Sequence, residues 1–85
     1  MSGDDHPRQR LNNELQKIYG PSTKDHIKWD INSRGPANAS TWHARVYIND
    51  MEYGYGESNN KSGAQDKAAA KAYDSLMLEK SSSDI

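Results

Sequence analysis

Between Gly54 and Leu76 the chain reads Gly-Tyr-Gly, then a polar loop, then an alanine-rich segment with Lys61 near its start. This stretch constrains the fold more than any other. Glycines alternating with other residues suit the end of a strand. Alanine is the best helix former, and a cluster of alanines lets a helix lie close on a sheet. Ala64, Ala68, Ala69, Ala72 and Leu76 fall on one stripe at helical spacing. Lys61 stands about one turn before Ala64, at the helix end where free backbone N–H groups already favour an anion. A strand, a polar loop and a lysine at a helix start together point to a phosphate-binding surface.

The rest of the chain is consistent with one small α+β unit. Residues 1–6 are expected to be a disordered leader. Pro7 fits the first turn of a helix, and Leu11, Leu15, Ile18 and Tyr19 mark its apolar stripe through Tyr19. Gln9, Asn13 and Gln16 fall on the opposite face, and a solvated surface is the plain expectation for them. Gly20-Pro21-Ser22 ends the helix. Asp25 to Asn32 alternates, with Ile27, Trp29 and Ile31 on one side. Gly35-Pro36 marks a loop over 33–39. Thr41 to Asn49 alternates again, with Trp42, Ala44, Val46 and Ile48 inward and His43, Arg45 and Tyr47 outward. Asn49-Asp50 predicts a turn into a third strand, Met51 to Gly56. The alanine helix is expected over 62–79, leaving residues 80–85 as a disordered tail. The predicted order is helix, three antiparallel strands, helix: an α-β-β-β-α arrangement with both helices on one face of the sheet.

Eighty-five residues allow one domain, and 33 % hydrophobic content without a single Phe leaves two Trp and five Tyr to supply much of the bulk. There is no Cys, so no disulfide framework or thiolate metal site is available. No apolar run approaches the length of a signal-peptide core or a membrane span, and an intracellular protein, cytoplasmic or nuclear, is expected. His6, His26 and His43 lack metal-ligand spacing to one another or to a carboxylate. No nucleophile stands beside a base. The chain therefore reads as a binding module, without a cofactor and without catalytic residues. The net charge of −1 argues mildly against a nucleic-acid ligand. Without residues 1–6 and 79–85 the balance is ten basic against eight acidic side chains, still far from strongly basic.

The stretch resembles the C-terminal signature of the double-stranded RNA-binding domain family. That signature is a G-x-G strand end, a K-K-x-A-K run and a helix A-A-x-x-A-L-x-x-L. Ala64, Ala68, Ala69, Ala72, Tyr73 and Leu76 match its helix, and Lys61 holds the first place of the lysine run. Ser62 and Gln65 stand where the family usually has lysines, and the loop from Gly56 to Lys61 is two residues longer than the commonest form. Upstream, Leu11-Asn12-Asn13-Glu14-Leu15 is similar to the family's first helix. Gly35-Pro36-Ala37-Asn38-Ala39-Ser40-Thr41-Trp42 matches its G-P-x-H-x-x-x-F loop, with Asn38 for His and Trp42 for Phe. The resemblance covers Pro7 to Met77 and gives 7–79 as the domain.

The resemblance implies recognition of A-form RNA by shape, across two minor grooves and the phosphates between them, without strong sequence specificity. Gln9 and Asn13 would then meet 2′-hydroxyls and base edges in one groove. Gly35, Pro36, Ala37 and Asn38 would enter the second. Lys61, Ser62, Gln65 and Lys67 would meet phosphates, while Lys71 reads as a solvated lysine. Two fewer cations imply a shallower salt dependence and modest affinity. The alternative implied is a protein-interaction or dimerisation module on the same fold, pairing with a similar domain or with itself. Its contact would be the outer sheet face, at His43, Arg45, Tyr47 and Tyr53. The minor-groove set favours RNA, since a pure protein binder need not keep it.

Overall fold

The computed structural model describes residues 6–36 and 38–83. The leader expected over residues 1–6 falls outside them except for His6. Helix α1 spans Pro7–Tyr19, followed by a 3-10 turn at Gly20–Ser22 and a single-turn helix α2 at Thr23–His26. Strands β1 (Ile27–Arg34), β2 (Thr41–Ile48) and β3 (Met51–Ser58) form one antiparallel sheet in that order, and helix α3 spans Lys61–Ser83. This is the α-β-β-β-α arrangement, with two short helical turns between α1 and the sheet. No helix among the described residues is long and apolar enough to cross a membrane.

The alanine stripe explains how the layers meet. Ala64, Ala68, Ala69 and Ala72 are fully buried, and Leu11, Leu15, Ala44, Val46, Ile48 and Leu76 complete the buried core. Helix α3 lies so close on β3 that only glycine fits beneath it. A Cβ at Gly54 would come 2.7 Å from the Ala72 nitrogen, and one at Gly56 would come 2.6 Å from the Ala64 carbonyl oxygen. Ile27, Trp29 and Ile31 of β1 pack against the margin of this core and stay half-buried.

The β2–β3 hairpin turns at Asn49 and Asp50, whose φ values of 52° and 68° are those of a two-residue turn with both central residues left-handed. Asn and Asp tolerate that conformation best after glycine. Asn49 is also a junction. Its N–H donates to the His26 carbonyl at 2.8 Å, its Oδ1 accepts from His26 Nδ1 at 2.6 Å, and its Nδ2 donates to the Tyr19 hydroxyl at 2.7 Å. The Tyr19 and His26 rings stack with centroids 3.9 Å apart. One side chain thus ties the end of α1, α2 and the hairpin together.

Several boundaries differ from expectation. Strand β1 extends to Arg34 because Thr41 still pairs with it, and β3 extends to Ser58 opposite Trp42. Helix α3 runs on through Ser83, so 80–83 belong to the helix rather than to a tail; nothing in Lys80-Ser81-Ser82-Ser83 breaks a helix, and Lys80 is held by Glu14. Residues 84–85 lie outside the described residues. Ile18 is 44 % exposed instead of buried. At that last turn Tyr19, about 100° further round the helix, makes the contact with His26 instead.

Candidate nucleic-acid interface

Strand pairing fixes where the candidate residues gather. Arg34 pairs with Thr41 and Trp42 with Ser58, so the β1–β2 loop and the start of α3 emerge from the same end of the sheet. Helix α1 lies beside α3 and runs in the same direction. Its Arg8 contacts Gln65 and Asp66, its Arg10 guanidinium lies 5.5 Å from the Tyr73 ring centroid, and its Glu14 meets Lys80. The N-terminus of α1 therefore also lies at this end.

On α1, Gln9 and Asn13 are exposed on one face, as the periodicity requires. Gln9 and Gln65 line one open cleft of about 470 Å³ with Arg8, Asn12 and Trp29. Asn13 sits one turn further along. In the β1–β2 loop, Gly35 has φ +100°, a conformation L side chains rarely adopt. The Pro36 carbonyl accepts both the Ala39 N–H and the Ser40 hydroxyl, each at 2.9 Å. Its two lone pairs are occupied, so the Pro36 carbonyl shapes the loop and is not free to accept from a ligand. Asn38 is exposed. Ala37 lies outside the described residues.

The start of α3 is organised by Asn60, whose Oδ1 accepts the Gly63 N–H at 2.6 Å and whose carbonyl accepts the Ala64 N–H at 3.1 Å. This is an N-cap, and it holds the first turn in place. Lys61 and Ser62 are the first two helical residues, and both are exposed. The ammonium groups of Lys61 and Lys67 have no ion-pair partner among the described residues. Gln65 is half-buried, and its Oε1 accepts from Arg8 Nη1 at 3.2 Å. It is therefore not an open surface position. Gln9, Asn38, Lys61, Ser62 and Gln65 belong to elements meeting at one end, with Lys67 further along α3.

Sequence reasoning missed five residues. Arg8 and Asp66 join the two helices at 2.8 Å, and neither has a local signature. Asn60 was legible as a cap, since Asn just before a helical run is among the preferred N-cap residues. Glu14 lies on the packed side of α1, 8 % exposed. Lys80 donates to it, and Lys17 lies 3.8 Å away. The Lys80 hydrogen bond holds the Glu14 carboxyl below its ordinary value, against the opposing effect of burial.

The outer sheet face is occupied by its own contacts. The Tyr55 hydroxyl donates to Glu57 and accepts from His43 Nδ1, each at 2.7 Å, and Arg45 lies 5.0 Å from the Tyr55 ring centroid. Tyr53 reaches α3, where its hydroxyl donates to Glu79 at 2.8 Å. Burial, reinforced by that bond, pushes its pKa up to about 12. Tyr53 is thus a link between sheet and helix rather than part of an open face.

The model of the double-stranded RNA binding motif matches residues 7–76. The chain belongs to this family. No curated protein matches it. The match spans α1, the whole sheet and most of α3, so the three regions that meet at one end of the molecule are all inside it. Binding double-stranded RNA is the family's general function, and the family is one of binding domains.

Proposed function

We propose that the chain recognises A-form RNA by shape, through a face made of the start of α1, the β1–β2 loop and the start of α3. The observation that carries this is the convergence of three polar segments at one end of the sandwich, with Lys61 unpaired among the described residues. Gln9 and Asn13 enter one minor groove, where their amides both donate to and accept from 2′-hydroxyls. The loop 35–38 enters the next minor groove, with Asn38 as its polar side chain. Lys61, Ser62 and Gln65 face the phosphates of the intervening major groove, and Lys67 lies at the edge of the footprint. Gln65 has its carbonyl oxygen turned to Arg8, which leaves its NH₂ to donate to a phosphate oxygen. With few cations the electrostatic contribution is small, and affinity is on the order of micromolar at low salt.

The test is to follow backbone amide resonances while titrating a duplex RNA longer than the roughly 16 base pairs that such a domain spans. Shifts should cluster at 9–13, 35–38 and 61–67. Shifts confined to His43, Arg45 and Tyr47 would contradict the proposal. Absence of any shift at low salt would favour the protein-interaction module instead.

A further inference from the structure

Given the RNA-facing surface proposed above, on which this rests, we infer that Arg8 is a phosphate-binding residue held ready by Gln65 and tempered by Asp66. Three observations carry the assignment. Arg8 projects from the first turn of α1 onto the first turns of α3, where its Nε donates to Asp66 Oδ1 at 2.8 Å and its Nη1 donates to Gln65 Oε1 at 3.2 Å. It stands at the seam between the segment proposed for the minor groove and the one proposed for the phosphates, and it lines the same cleft as Gln9 and Gln65. Two N–H donors are thereby used out of the five a guanidinium carries. The side chain remains 43 % exposed. The Nη2 group is left to meet a phosphate oxygen, and a fork fixed at one side loses less freedom on binding than a free lysine does.

Asp66 has two opposed effects. Its carboxylate orients the guanidinium, and its negative charge lies next to where the phosphate would sit. An asparagine there still accepts the Nε–H through its amide oxygen but carries no charge. Asp66 therefore sets affinity downward while keeping the geometry.

The experiment measures the slope of log affinity against log salt for a duplex RNA of about 24 base pairs, longer than the footprint. The proteins compared are the wild type, Arg8→Gln, Arg8→Lys, Asp66→Asn and Lys61→Ala, each checked for folding by circular dichroism. Arg8→Gln should lower the slope by roughly 0.9, the contribution of one phosphate contact. Arg8→Lys should restore part of that slope, which a purely structural role for Arg8 would not require. Asp66→Asn should bind roughly three- to tenfold more tightly at low salt, with the gain screened at high salt. An unchanged slope in folded Arg8→Gln overturns the assignment. If Arg8→Gln proves unfolded, Asp66→Asn binding no more tightly than wild type overturns it instead. When Lys61→Ala still lowers the slope in either case, the RNA-facing surface stands and only Arg8 is removed from it. Slopes unchanged in both Arg8→Gln and Lys61→Ala sink the surface as well.

Discussion

Lys61 opens α3, exposed and unpaired among the described residues, with no side-chain role in packing. Lys61→Ala should therefore weaken binding to unrelated RNA duplexes alike and leave the thermal melt unchanged, as a competition assay beside circular dichroism can show. Its neighbour Ser62 is equally exposed. Ser62→Lys should steepen the salt slope by roughly 0.9 without a measurable loss of stability. Gln65→Lys is a different matter, although the family resemblance places it in the same lysine run. It would remove the acceptor that Arg8 uses and set two cations against each other. Glu14 gives a prediction in pH. Its folded-state pKa lies below the ordinary 4.5. Its stabilising contribution is thus full above that value and fades as pH falls through the lower folded value. Glu14→Gln should cost about 1–2 kcal/mol at neutral pH. Melts across the acid range should show the gap between wild type and variant closing as the pH drops below 4.5.

Elements are positioned by contacts that periodicity does not reveal. Asn49 holds a left-handed turn while bonding His26 and Tyr19. Asn49→Ala loses both features and should cost about 2–3 kcal/mol. Asn49→Gly keeps the turn and loses only the side-chain bonds, so it should cost about 1–2 kcal/mol. Urea titration of the two variants separates backbone conformation from the hydrogen-bonded junction; equal losses would show that the turn conformation contributes nothing. The contrast with α3 is instructive. Its existence and buried stripe could both be read from Gly54, Gly56 and the alanines, because close approach demands small residues on both sides. The first helix was only half legible. Leu11 and Leu15 are buried as the spacing predicts, but a carboxylate at 14 looks solvent-facing until Lys80 is seen beside it. That pair is 66 residues apart in sequence, and no local pattern encodes it.

At the scale of the molecule, element order and sheet topology follow from alternation, turn residues and the alanine stripe. What the sequence hides is the wiring between α1 and α3, because long flexible side chains such as Arg8 choose partners only after the elements have packed. The same holds for the Pro36 carbonyl, whose two hydrogen bonds depend on how the loop closes. With a net charge of −1, the whole-molecule field contributes little attraction for a polyanion, and the proposed mode of binding draws its selectivity from shape and 2′-hydroxyl contacts instead. The decisive measurement is a titration at low salt of one duplex sequence made as RNA and as DNA, with the single-stranded RNA alongside. The face described here predicts clear preference for the RNA duplex, because the DNA duplex lacks both the 2′-hydroxyls and the A-form groove spacing. Equal affinity for the two duplexes would contradict it.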